Sequence, residues 1–255
     1  MIEIRNLSVG YENTNVLQDI NLKFHPGEIT VLAGPNGCGK STLLKSIVRI
    51  VPHSQGEILI DGVSNSQMST KELAKKVAYL AQNKKAPDIS VMKMVLHGRF
   101  AHLSYPRKYR QQDLEIAKEA IRWAGLEKES EKNVSKLSGG MQQKAYLAMA
   151  LAQDADTILL DEPTSYLDVA HQLRLMDLAK NLAKAGKAVV LVLHDLTQAL
   201  QIADQMIVLK NGRILSRGTP KSVYEDQSLE EAFEVKIEKL ETARGETVWH
   251  YSRFS

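Results

Sequence analysis

The sequence predicts an α/β fold: a parallel sheet covered on both faces, preceded by antiparallel strands and interrupted by a mainly helical insertion. Three observations predict it. Segments 29–33 (ITVLA), 157–160 (TILL), 188–193 (AVVLVL) and 206–209 (MIVL) are continuous apolar runs, the pattern of strands buried on both faces. The N-terminal residues alternate instead, with Ile2, Ile4, Leu7 and Val9 and then Leu17, Ile20, Leu22 and Phe24 apolar. From about residue 84 to about 154 the pattern is helical, through VMKMVLHGRF, DLEIAKEAIRWAGL and GGMQQKAYLAMALAQ.

Taken in order, the two alternating stretches read as antiparallel strands near the N-terminus. Residues 29–33 form a buried strand, 34–39 a glycine-rich loop, and a helix opens at about Lys40. GEILIDG (56–62) and VAYLA (77–81) read as further strands. After the insertion, strands at 157–160 and 188–193 flank a helix over 171–185. Asn211-Gly212 between VLK and RIL predicts a hairpin, and Thr219-Pro220 opens a short helix in the capped, proline-first manner. KIEKLE and ETVWHYS read as a terminal strand pair. The expected organisation is one domain over 1–255, with a core of about 1–83 and 155–255 and an insertion of about 84–154.

Composition narrows the class. The chain has 255 residues, 44% hydrophobic and 25% charged, with a formal net charge of +3 and its basic residues scattered rather than blocked. A single cysteine, Cys38, excludes an internal disulfide framework and a cysteine-based zinc site within one chain. The N-terminus lacks the basic-then-apolar layout of a signal peptide, and no apolar run approaches the roughly 20 residues needed to span a bilayer. The expectation is a cytosolic chain whose membrane role, if it has one, comes through a partner.

GPNGCGKS, residues 34–41, fits G-x-x-x-x-G-K-[ST] directly after an apolar strand and before a helix. That context makes it a phosphate cradle. The loop residues Gly34, Pro35, Asn36, Gly37, Cys38 and Gly39 let the backbone wrap the phosphates, its N–H groups (Pro35 has none) pointing inward, and the helix dipole adds favourable charge. Lys40 would reach the β- and γ-phosphates, Ser41 would offer its hydroxyl to Mg²⁺, and Thr42 would add an α-phosphate contact. A thiol at a helix N-terminus can have a lowered pKa, so thiol reagents are expected to act at Cys38, with nucleotide protecting.

ILLDEPT, 158–164, delivers two carboxylates to the end of a strand. Asp161 can hold Mg²⁺, usually through a water, and Glu162 can orient and polarise the water that attacks a γ-phosphate. Two other strand ends offer polar groups: Gln82, for Mg²⁺ and the attacking water, and His194, beside the carboxylates and a γ-phosphate. LSGG, 137–140, is a second anion site in outline, because Ser138 can cap the next helix while Gly139 and Gly140 leave its first N–H groups bare.

Together, residues 34–42, Gln82, 137–140, Asp161, Glu162, 165–168 and His194 resemble the ordered motif set of ATP-binding cassette ATPases. The likeness runs from Tyr11 to about Tyr224. It implies a P-loop NTPase (RecA-like) core with an N-terminal antiparallel β-subdomain and an inserted α-helical subdomain. It also implies a homodimer hydrolysing ATP with Mg²⁺, each LSGG turn facing the nucleotide held by the other copy. Ser138, Gly139, Gly140 and Met141 would grip that partner nucleotide, Asp168 would lie on the dimer seam, and Tyr11 would stack on adenine. Met141 replaces the usual glutamine, and Gln142 and Lys144 stand where arginines are common.

Residues 95–102 (VLHGRFAH) and 193–204 (LHDLTQALQIAD) look like the importers for ferric siderophores, haem and cobalamin. This branch implies pairing with a polytopic permease and, through it, an extracytoplasmic substrate-binding protein, at the cytoplasmic face of the membrane and with no direct nucleic-acid contact. A permease helix would dock around residues 84–110. His97 and His102 read as packing or surface rather than as metal ligands. Two other classes stand beside this one: a soluble cassette protein acting on nucleic acid or ribosomes, and a P-loop kinase, which would leave LSGG and Glu162 without purpose.

Overall fold

The computed structural model describes residues 1–11, 14–82, 86–165, 167–242 and 247–253, the side chains of Tyr11 and Thr14 excepted. In chain order, β1 (Ile2–Tyr11), β2 (Thr14–Phe24) and β3 (Ile29–Ala33) lead into α1 (Lys40–Ile47). β4 (Gln55–Ile60), β5 (Val63–Ser64), α2 (Thr70–Lys76) and β6 (Val77–Leu80) follow. Three helices come next, α3 (Val91–His97), α4 (Gln111–Trp123) and α5 (Gly139–Ala152). β7 (Thr157–Asp161), α6 (Val169–Lys184), β8 (Ala188–Val192), α7 (Leu196–Ile202), β9 (Gln205–Lys210) and β10 (Arg213–Gly218) return to the sheet. α8 (Pro220–Glu225), α9 (Ser228–Phe233), β11 (Val235–Glu241) and β12 (Thr247–Arg253) close the chain.

The main sheet runs β10-β9-β3-β8-β7-β6, parallel throughout except for the antiparallel edge strand β10. Its continuous apolar strands are buried on both faces. Val31 and Ala33 of β3, Ile158 and Leu160 of β7, and Val189 and Leu191 of β8 point into one core, against α6, α7 and α9. The intervening Leu32, Leu159, Val190 and Val192 point into the other, between this sheet and the antiparallel sheet β2-β1-β4-β5.

The antiparallel pair shows why period two holds only in pieces. Ile4 and Leu7 are three residues apart, as are Leu17 and Ile20, yet all four are buried in one core. An uninterrupted strand would turn half of them to solvent. The β1–β2 register shifts between Ile4 and Leu7, where Asn6 takes φ 48, and Asp19 opposite takes φ 51. These irregularities restore the inward face, and Asn6 Nδ2 donates to Asp19 Oδ1 at 3.0 Å to tie them together.

α5 joins the two parts of the molecule. Leu147 and Ala150 belong to the sheet core, whereas Ala145, Ala148 and Ala152 belong to a third core with α3 and α4. A helix apolar on several sides is one packed between layers. VMKMVLHGRF, read as helical, changes at Gly98 from α3 to a 3₁₀ turn over Gly98–His102. The reason is close packing: a Cβ on Gly98 would sit 2.3 Å from the Met149 carbonyl oxygen of α5. Arg99 and His102 then serve the end of that helix. Arg99 donates to the Ala152 carbonyl and, through Nε, to Asp113 of α4, each at 3.0 Å, and His102 Nε2 donates to the Gln153 carbonyl at 2.8 Å. These carbonyls are among the last of α5, which have no partner within the helix.

At the C-terminus β11 and β12 pair antiparallel over seven residues, from Val235↔Arg253 to Glu241↔Thr247. Trp249 packs edge-on against Tyr224 with ring centroids 4.6 Å apart.

Candidate functional site

The parallel order β3-β8-β7-β6 brings four strand ends to one edge of the sheet. The loop after β3 is residues 34–39; Asp161 ends β7 and Glu162 follows it; His194 follows β8 by two residues, and Gln82 follows β6 by two. Ligands of open α/β sheets bind beyond such carboxyl ends. A cleft of about 450 Å³ lies there, lined by Asn36, Gly37, Gly39, Lys40, Ser41, Thr42, Gln82, Glu162, His194 and Val16.

The backbone of the loop admits few alternatives. Gly34 has φ 145, and a Cβ there would stand 2.2 Å from the Leu209 carbonyl oxygen of β9. Gly39, the N-cap of α1, has φ 107, and its Cβ would meet Leu17 Cδ2 at 2.4 Å. Lys40 is 6% exposed and folds back on the loop, donating to the carbonyls of Gly34 at 2.6 Å and Pro35 at 2.8 Å. Its ammonium therefore has partners that an anion in the cleft can replace. Gly34, Pro35 and Cys38 form the underside of the loop rather than its lining. Cys38 is buried, its sulfur 3.7 Å from Lys40 Nζ. The thiol chemistry expected from its position at a helix start is therefore shielded, because a reagent reaches that sulfur only after the loop opens.

Asp161 is 1% exposed. Ser41 Oγ donates to its Oδ1 at 2.9 Å, and Tyr79 hydroxyl to its Oδ2 at 3.1 Å. Burial pushes this carboxyl above its usual range, and the charge of Glu162 adds to that; the two hydrogen bonds and Lys45 oppose it. A hydroxyl and a carboxylate oxygen facing each other beside a phosphate cradle form a hard, all-oxygen donor set, which fits Mg²⁺.

Glu162 takes φ 51, a left-handed conformation that costs a non-glycine residue energy and persists where the surroundings impose it. One carboxylate oxygen accepts from Gln82 Nε2 at 2.5 Å, and the other lies 2.7 Å from His194 Nε2. Three residues separated by up to 112 positions thus converge on one carboxylate at the mouth of the cleft.

Residues 137–141 are not among the lining residues of that cleft. Ser138 caps α5, its hydroxyl accepting from the Met141 N–H at 3.4 Å, and both Ser138 and Gly139 are exposed. Beyond its chain neighbours and its own helix backbone, nothing lies within 4 Å of where a Gly139 Cβ would be, so the turn is open to an incoming group. Asp168 caps α6 by accepting from the His171 N–H at 2.9 Å. The Tyr11 side chain and Tyr166 lie outside the described residues.

Sequence reasoning missed two contributors. Tyr79 was read only as part of an apolar strand, although its hydroxyl holds Asp161. Val16 lines the cleft from β2, which nothing in its local sequence signals. His102 bonds the Gln153 carbonyl and His97 lines a separate cleft beside Phe100, so the structure places neither at this site.

A glycine-rich loop between a buried strand and a helix, a buried carboxylate beside the helix serine and a second carboxylate at the cleft mouth make up the frame of a P-loop ATPase cassette. The chain belongs to the ABC transporter family, whose pattern (ABC_tran) matches residues 17–165. It is 38% identical over 239 residues to the iron(3+)-hydroxamate import ATP-binding protein FhuC of Bacillus subtilis (strain 168), covering 93% of this chain and 89% of that one. It is 36% identical to the ferric enterobactin transport ATP-binding protein FepC of Escherichia coli (strain K12), covering 89% and 84%. Among solved structures, a transporter described as of the metal-chelate type, in an inward-facing conformation, superposes with a TM-score of 0.82 at 27% identity, covering 100% of this chain and 97% of that one. The dimeric cassette MJ0796 superposes with a TM-score of 0.78 at 28% identity, covering 86% and 99%. A structure of that cassette in a post-hydrolysis state carries ADP and Pi.

Proposed function

We propose that this chain is the ATP-hydrolysing subunit of a membrane importer whose cargo class is the ferric siderophore. The observation that carries the proposal is Glu162 held between Gln82 and His194 at the mouth of the phosphate cleft, on a chain whose LSGG turn faces solvent instead of its own cleft. The cargo class is supported by the relatives, which are import proteins for iron(3+)-hydroxamate and ferric enterobactin.

On this reading Lys40 exchanges the Gly34 and Pro35 carbonyls for phosphate oxygens, and the backbone of Asn36, Gly37 and Gly39, which line the cleft, supplies N–H donors. Ser41, Asp161 and Gln82 would hold Mg²⁺, which when bound neutralises developing phosphate charge. Glu162 accepts the proton of the attacking water, with Gln82 and His194 fixing the direction of its lone pairs. Two copies associate head to tail, the LSGG turn of each closing over the other's ATP, so both open anion sites are filled at once. Asp168 lies on that seam. Hydrolysis then loosens the pair.

Among the described residues no helix is long and apolar enough to cross a membrane, so on this reading a permease supplies the channel and holds the chain at the cytoplasmic face. A mainly apolar cleft of about 310 Å³ beside half-exposed Phe100, with Lys71, His97, Leu103 and Arg107 on its walls, suits a short cytoplasmic helix of the permease. The extracytoplasmic binding protein acts through that permease.

The test is Glu162→Gln. The variant should bind ATP, lose hydrolysis by about 100-fold or more, and run as a dimer in saturating ATP. A variant that remains monomeric in ATP, with intact binding, removes the two-chain site.

A further inference from the structure

Two polar links run from α5, the helix that carries the LSGG turn, to the segment after β7 that carries Glu162. Gln143, buried in α5, donates Nε2 to the Pro163 carbonyl at 3.3 Å. One residue on, Lys144 Nζ lies 2.5 Å from His171 Nε2, and His171 Nδ1 lies 2.7 and 2.8 Å from the two oxygens of Asp168. The partners fix the protons. A carboxylate only accepts, so Nδ1 carries the hydrogen; an ammonium only donates, so Nε2 offers its lone pair. With Lys144 as the donor, His171 is the Nδ1–H tautomer, bridging α5 and the cap of α6.

We infer that Lys144 and His171 are positioning residues that tie the signature helix to the Asp168 loop. The inference rests on the two-chain reading above, because only there does the chain's LSGG turn serve one nucleotide while its Glu162 serves the other. With the tie formed, the two half-sites of one chain move as a unit; without it, each closes on its nucleotide independently and ATP-driven pairing weakens. The charged groups bearing on the imidazole are Lys144 from α5, Asp168 at the cap of α6, and Arg174 one turn along α6, whose charge also acts on Lys144. Burial pushes the Lys144 ammonium below its usual range, Arg174 acting the same way and Asp168 against it. The backbone and side-chain hydrogen bonds from His171 hold the Asp168 carboxyl below its own range.

Two measurements test this. In nucleotide-free protein labelled with ¹⁵N-histidine, long-range ¹H–¹⁵N spectra at about pH 8 should show His171 as the Nδ1–H tautomer; an Nε2–H tautomer overturns the tie. Second, ATP-driven dimerisation is followed in the Glu162→Gln background at about pH 8. Adding Lys144→Met or His171→Gln should raise the ATP concentration for half-dimerisation by about 3- to 10-fold, and Lys144→Arg should restore the parent value. Dimers as tight with Lys144→Met as without it remove the inference alone. No ATP-driven dimer in any background removes the two-chain reading and the inference with it.

Discussion

Arg99 offers the sharpest quantitative test, because its partners can be counted. Its guanidinium is buried, bonded to Asp113 and to the Ala152 carbonyl, and so fastens α4 and the end of α5 to the 3₁₀ turn after α3. Arg99→Met keeps most of the side-chain volume but leaves Asp113, itself 6% exposed, as an uncompensated buried charge. Breaking such a pair costs about 3–5 kcal/mol. Removing both charges, Arg99→Met with Asp113→Leu, should recover most of that. It should still fall short of the parent by about 1 kcal/mol, because Asp113 Oδ2 also accepts the Arg110 N–H that caps α4. The pH dependence has a definite sign. Burial alone would raise the Asp113 carboxyl, but the Arg110 N–H and the bond and charge of Arg99 outweigh it and hold the group below its usual range. A depressed carboxyl stabilises above its unfolded pKa of about 3.9 and loses that contribution as pH falls through the lower folded value. The gap between parent and Arg99→Met should therefore be full at neutral pH and narrow in acid. Urea titrations at several pH values measure it. A loss under about 1 kcal/mol at neutral pH, or a gap that widens in acid, would refute the reasoning.

Two further outcomes follow from the site. Asp161→Asn replaces a buried carboxylate whose pKa is raised by burial, so the nucleotide-free protein should melt about 2–4 °C higher at neutral pH while Mg²⁺-dependent hydrolysis is lost. The gain should vanish below about pH 4, where the parent carboxyl is also neutral, and a lower melting temperature at pH 7 would contradict the burial argument. In mixed dimers, Ser138→Arg on one copy should impair ATP turnover at the site whose P-loop belongs to the other copy; loss confined to the mutant's own P-loop would rule out the head-to-tail arrangement.

The local signals were read from residue types alone because each is a property of a few adjacent residues. The cradle at 34–41 needs glycines at fixed offsets, a strand before it and a helix after it, and all lie within some twenty positions. The apolar runs identified β3, β7, β8 and β9 for the same reason, since burial on both faces excludes polar residues one by one. Register was harder. The three-residue steps from Ile4 to Leu7 and from Leu17 to Ile20 break the alternation, and only the pairing of β1 with β2 shows that local irregularity absorbs the extra residue.

Gln82 and His194 are expected near Glu162 from their strand exits, but the contacts depend on the order β3-β8-β7-β6, which sets those exits side by side and brings both residues onto one carboxylate. The Tyr79 hydroxyl on Asp161, the Arg99–Asp113 pair and the Lys144–His171 contact link positions 14 to 82 residues apart. Residue types along the chain dictate which groups this protein owns and which strands and helices carry them, because those follow from short-range sterics and burial. Which of those groups touch is settled by the packing, because hydrogen bonds and charges act over a few ångströms, and distance along the chain says nothing about distance in space.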